Sequence, residues 1–149
     1  MRYFKIGLSF LLIIIWLIVI FSLSNDTAEE SSSKSDVIAE EIAEVVYKDE
    51  SKKKELVHPI RKTAHGTVYF VLNILVMNLL FQLNRMNIKY YLLGILFCIL
   101  YAISDEFHQL YISGRSGEFR DIFIDSIGSI LGCLFYLGIY KLIRKFKHV

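Results

Sequence analysis

Three stretches of this chain contain no Asp, Glu, Lys or Arg: Ile6 to Leu23, Thr63 to Gln82 and Tyr90 to Ser104. A fourth, Ile122 to Tyr140, contains only Asp125. Helices on a water-soluble domain need a solvated polar face, and these runs leave none. They suit a bilayer, whose hydrocarbon core of ~30 Å takes about 20 helical residues at ~1.5 Å each. The third run covers only ~23 Å at that rise, so to span it must draw Asp105, Glu106 and His108 into the end of its helix. The predicted fold class is all-α, a polytopic membrane protein with four transmembrane helices and a short outer amphipathic helix.

The charge balance excludes other classes. The 149 residues carry 17 basic and 15 acidic side chains, and a net charge of +2 is too small to suggest nucleic acid as a partner. Cys98 and Cys133 lie inside apolar runs, so no disulfide framework is implied. The membrane lipid bilayer is the partner that the pattern demands. No cofactor is expected, and the oligomeric state is left open.

Orientation follows from where the cations sit. Arg2 and Lys5 precede the first span, Arg85 and Lys89 lie in the turn after the second, and Lys141, Arg144, Lys145 and Lys147 follow the fourth. These pieces contain no acid, whereas every Asp and Glu lies in the remaining two loops or at their junctions with the spans. The expected location is the cell membrane, multi-pass, with both termini cytoplasmic. Ser22-Leu23-Ser24 offers a small-residue cleavage site, but the run before it exceeds the ~7–15 residues of a signal peptide, which favours an uncleaved anchor.

The chain then divides into residues 1–24 as the first span, 25–59 as an extracytoplasmic loop, and 60–149 as a three-helix region. Within the loop, Ser31 to Ser35 reads as a flexible lead-in. An amphipathic helix is expected over 36–47, with Val37, Ile38, Ile42, Val45 and Val46 on one stripe and Glu40, Glu41 and Glu44 opposite. It either rests on the bundle or the lipid interface, or covers what lies beneath. His58-Pro59 is expected to break the chain before the second span.

Ionisable groups in a span cost ~2.5–3.5 kcal/mol each at the helix centre, so those present must turn away from lipid. Arg61, His65, Tyr69 and Asn73 share a helix face at intervals of four. Tyr101, Asp105 and His108 share another, with Glu106 and Gln109 beside it. Asp121 and Asp125 are continued inward by Gly128-x-x-x-Gly132, a spacing that permits close helix approach. The Gly and Ser residues of Ile112 to Arg120 mark a tight turn that returns Arg115 and Arg120 to the carboxylates. An outward polar pocket results. Tyr69 and Tyr101 are expected as core aromatics, and Asn73 and Asn78 as interhelical hydrogen-bonding groups.

Arg61-Lys62-x-x-His65-x-x-x-Tyr69-x-x-Leu72, Ser104-Asp105-Glu106-Phe107-His108-Gln109, Gly114-Arg115 and Asp121-x-x-x-Asp125-x-x-Gly128-x-x-x-Gly132 together resemble the VanZ-like family. The family usually has Pro where this chain has Ser113 and Asn where it has Asp125. The resemblance implies a bacterial integral membrane protein associated with reduced susceptibility to teicoplanin-type glycopeptides, and no settled reaction.

Two chemistries fit such a pocket. Arg61, Lys62, His65, Asp105, Glu106, His108, Gln109, Arg115, Asp121 and Asp125 are the candidate ligand-binding residues, for an anionic lipid or cell-wall precursor gripped by guanidinium groups. The alternative is an intramembrane enzyme acting on a lipid-linked envelope substrate, with Asp105, Glu106, His108 and His65 as acid–base or metal-assisted candidates. Recognition is favoured over catalysis. There is no H-E-x-x-H pair and the two His lie on different spans, so no metal site is expected.

Overall fold

The computed structural model describes residues 1–42, 53–115 and 117–146. They form five helices: α1 Arg2–Ser24, α2 Ala28–Ile42, α3 Lys53–Gln82, α4 Ile88–Gln109 and α5 Phe119–Phe146. No strand occurs among the described residues. The fold is all-helical, as the sequence predicts, and four helices (α1, α3, α4, α5) are long and apolar enough to cross a membrane. α4 does carry Asp105, Glu106 and His108 into its last turns.

The surface is inverted relative to a soluble protein. Ile18, Leu100, Phe123 and Leu134 are each more than half exposed around the bundle, while Asn73 and Asp125 are fully buried. This is the arrangement that hydrocarbon demands, with polar groups turned to one another.

α3 is the central helix and touches each of the other four. Its closest partner is α5, because Gly128 and Gly132 remove the side chains that would hold the two apart. A methyl at Gly128 would overlap the Gly66 carbonyl, and one at Gly132 the Phe70 carbonyl. Below this contact, Asn73 donates through Nδ2 to Ser129 Oγ at 3.0 Å and meets Cys98 Sγ at 3.6 Å, which joins α3, α4 and α5. α1 is stitched on by Trp16 Nε1–H donating to the Val68 carbonyl at 2.9 Å and by Tyr101 O–H donating to the Leu17 carbonyl at 2.9 Å. Asn78 Nδ2 donates to Ser9 Oγ at 3.0 Å toward the other end.

Three local expectations are corrected. The Ser-rich lead-in is helical, and α2 begins at Ala28 rather than Asp36. The cause is a capping box: Thr27 N–H donates to Glu30 Oε2 at 2.8 Å, and Glu30 N–H to Thr27 Oγ1 at 3.3 Å. The Thr27 hydrogen bonds hold the Glu30 carboxyl below its ordinary range. The buried face of α2 is then Ser35 and Ala39, whereas Val37 and Ile38 are exposed. Small side chains let α2 lie close against α3. Of the expected 36–47 helix, residues 43–47, with Glu44, Val45 and Val46, lie outside the described residues. Third, α3 runs through Pro59 instead of starting after it. One missing N–H near a helix end is tolerated because the long helix downstream is fixed by packing.

Adding one carbon to Gly128 tests the α3–α5 contact. Gly128→Ala is expected to destabilise the folded protein by about 1–3 kcal/mol through overpacking. Gly138→Ala, where a methyl meets nothing within 4 Å, is expected to leave stability unchanged or raise it by up to about 1 kcal/mol. Thermal unfolding in detergent micelles distinguishes the two.

Candidate functional site

The polar stripes meet where α1 and α4 end and α3 and α5 begin. α3 presents Arg61, Lys62 and His65, α4 presents Asp105, Glu106 and Gln109, and α5 presents Asp121 and Asp125. Asp105, Glu106, Gln109 and Asp121 are 3–6% exposed, and Asp125 is fully buried. The α4–α5 turn closes the end. Gly114, at φ 73°, makes the left-handed step that turns the chain, and the Ser113 carbonyl accepts from Ala28 N–H at 3.4 Å.

The charges fall into two sets. The first is satisfied. Lys62 Nζ donates to Glu118 Oε2 at 2.9 Å and pairs with Asp121 Oδ1. The Glu118 N–H in turn donates to Glu106 Oε2 at 2.9 Å, which ties the turn to α4. The Lys62 hydrogen bond holds the Glu118 carboxyl below its ordinary range.

The second set is not satisfied. Both carboxylate oxygens of Asp125, Glu106 Oε1 and Gln109 Nε2 are buried without hydrogen-bond partners. His65 Nδ1 approaches Asp125 Oδ1 at 4.0 Å, within ion-pair range but beyond a hydrogen bond. Arg61 and Arg115 have no carboxylate within ion-pair distance among the described residues. Burial, and after it the like charge of Arg61, pushes the Arg115 guanidinium below its ordinary range against the opposing pull of Asp26, Asp105 and Glu106.

Two cavities open beside these groups. One of about 60 Å³ is walled by Arg61, His65, Gln109, Arg115, Glu118 and Asp121, with Ala28 and Gly114. The other, of about 140 Å³, shares Arg61, His65 and Arg115 and adds Asp105, but continues between Ile20 and Leu23 of α1, Ile38 of α2, and Ile60 and Val68 of α3. A mouth that carries both arginine and carboxylate side chains thus leads into an apolar slot.

The sequence grouping and the geometry differ in detail. His108 lines neither cavity; its ring stacks on Phe21 of α1 with centroids 4.9 Å apart. Arg120, expected beside the carboxylates, is exposed. Sequence reasoning missed Ser24, which shares the lining of the larger cavity with Asp105, and Lys34, held by Asp26 at 2.6 Å on the same wall. It also missed that one ligand atom each from His65, Glu106 and Asp125 lie within 4.8 Å of one another. These three come from three helices, so no local spacing reveals them.

A family model described as VanZ/LLP1 matches residues 9–144 of the chain. Comparison with curated proteins and with solved structures gave no significant match.

The Lys62 pairs make a prediction. Lys62→Met leaves Asp121 buried without its cation and is expected to cost about 3 kcal/mol. Adding Asp121→Asn in the same chain should recover at least half of that loss in a double-mutant cycle of unfolding free energies. For Glu118 the folded carboxyl titrates below its unfolded value near 4.5, so its contribution is present above that pH and lost as pH falls. Glu118→Gln is expected to flatten the acid side of the stability profile.

Proposed function

Because this chain belongs to the VanZ/LLP1 family and carries four helices able to cross a membrane, we propose that it is a cell-membrane protein whose arginine-bearing chamber faces away from the cytoplasm and recognises an anionic cell-envelope ligand. One observation carries the reading. Arg61 and Arg115 face shared cavities with no carboxylate in ion-pair reach among the described residues, at the mouth of a slot lined by Ile20, Leu23, Ile38, Ile60 and Val68. Like charges brought together in a half-buried site repel unless an anion lies between them. A guanidinium matches phosphate and carboxylate oxygens with two parallel N–H donors. The apolar continuation selects an anion that carries a hydrocarbon tail.

A phospholipid head group or a lipid-linked cell-wall precursor has that form. The proposed orientation, with both termini in the cytoplasm, is supported by the cations at the opposite end of the bundle, Arg2, Lys5, Arg85, Lys89, Lys141, Arg144 and Lys145. Occupying such a ligand, or altering its surface abundance, would change how a teicoplanin-type glycopeptide meets its target, and so links the site to glycopeptide resistance.

Binding is measured in nanodiscs, comparing polyprenyl phosphate and phosphatidylglycerol with phosphatidylcholine. The anionic lipids are expected to bind, and Arg115→Ala or Arg61→Ala to weaken them at least about tenfold, or 1.4 kcal/mol. Equal binding of the neutral lipid, or unchanged binding by both variants, refutes recognition. Orientation has its own readout. With Cys98 and Cys133 buried, a membrane-impermeant thiol reagent on intact cells should label Ser33→Cys and not Asn84→Cys.

A further inference from the structure

We propose that His65, Glu106 and Asp125 form a binding site for a divalent metal cation, with zinc the best match to one imidazole and two carboxylates. The site has a geometric basis. One ligand atom from each residue lies within 4.8 Å of the other two. Bonds of about 2.0–2.2 Å place two ligands of one ion at most roughly 4.4 Å apart, so small rotamer changes close the trio on a metal.

The second, independent observation is what the carboxylates lack. Asp125 is 0% exposed, Glu106 is 4% exposed, and three of their four oxygens have no hydrogen-bond partner. Only Glu106 Oε2 is satisfied, by the Glu118 N–H. A buried carboxylate oxygen without a donor is costly, and one cation facing both acids answers the deficit at a single point. The nearest ammonium does not fill that role, because Lys62 is already committed to Glu118 and Asp121. His65 adds a ring nitrogen from α3, so the ion would tie α3, α4 and α5 together at the depth where they converge.

Three protein ligands leave a coordination position open, the pattern of sites that also bind a water or substrate oxygen. His65 lines the small cavity beside Arg61 and Arg115. Glu106 and Asp125 lie behind that cavity, so His65 is the ligand that connects the trio to the space the two arginines line. The metal site itself does not depend on the anion reading, since the three ligands and their unpaired oxygens are present without any anion.

The test uses the full chain purified in detergent, stripped with a chelator, dialysed against zinc with no lipid ligand added, and assayed for metal by mass spectrometry. The folded protein is expected to retain about one equivalent, and Asp125→Asn, Glu106→Gln and His65→Gln each to bind at least about tenfold more weakly. Asp125→Asn keeps the side-chain shape and gains an amide able to donate to Glu106, so it is expected to remain monodisperse by size exclusion. His58→Ala, outside the trio, should bind as the parent does. Zinc should also raise the melting temperature of the parent and not of Asp125→Asn. Retention of far less than one equivalent by the monodisperse parent overturns the proposal, the outcome that protons on the two carboxyls would give. So does undiminished binding by the three variants, which would place the metal elsewhere. Because no anionic lipid enters this assay, its failure is distinct from failure of anion recognition.

Discussion

Charge can enter this bundle only where helices approach closely enough to keep lipid away from it. That condition is met by α3 and α5, whose backbones touch at Gly66 and Gly128 and again at Phe70 and Gly132. A helix pair held apart by ordinary side chains would leave Asp125 facing a gap between spans. With glycine at the crossing, Asp125 reaches the α3–α4 side and is covered completely. The same approach places Asp121 against Lys62, one α5 turn nearer the loop end. Packing sets the electrostatics here, because buried charge is tolerated only after the hydrophobic and van der Waals contacts have excluded the alternatives.

Once the charges are inside, they are unequally satisfied. Lys62, Glu118 and Asp121 form a closed set that locks the α4–α5 turn to α3. Glu106 and Asp125 keep unpartnered oxygens, and Arg61 and Arg115 have no carboxylate in ion-pair reach among the described residues. A set built only to hold helices in register would be expected to pair them, since cations and anions are both at hand within one chamber. Arginines without an ion pair among the described residues beside the cavity, and unpartnered carboxylate oxygens behind it, suit a site that receives charge from outside the chain. α2 contributes the wall. Its small buried residues, Ser35 and Ala39, bring it against α3, and Lys34, Ser35 and Ile38 line the larger cavity.

Much of this was legible in the sequence because the bilayer constrains it so strongly. Charge-free runs locate all four long helices, and the need to span about 30 Å correctly pulls Asp105, Glu106 and His108 into α4. Spacing by four identifies the polar faces of α3 and α5, and Gly128-x-x-x-Gly132 the crossing. What failed was local or three-dimensional. Thr27-x-x-Glu30 is a capping box that starts α2 ahead of the serine run. Pro59 does not end α3, because tertiary packing sustains the helix through it. His108 shares a face with Asp105, yet its ring turns to Phe21, because a residue at the edge of a stripe can follow either neighbouring helix. The convergence of His65 with Glu106 and Asp125 depends on helix rotation and crossing depth, and periodicity fixes neither.

Asp125 is the residue at which the sequence and the geometry bear most directly on each other. An asparagine there would bring its own N–H donors, one of which could satisfy the free oxygen of Glu106. A carboxylate brings only acceptors. Exchanging one for the other at a fully buried position converts a self-sufficient polar pair into one that must take up a positive charge or a proton. Arg61 and Arg115 cannot supply that charge without giving up the small cavity they line, and Lys62 is engaged elsewhere. A metal ion held with His65 would satisfy the carboxylates while leaving the guanidinium groups free for an anion in the cavity they line.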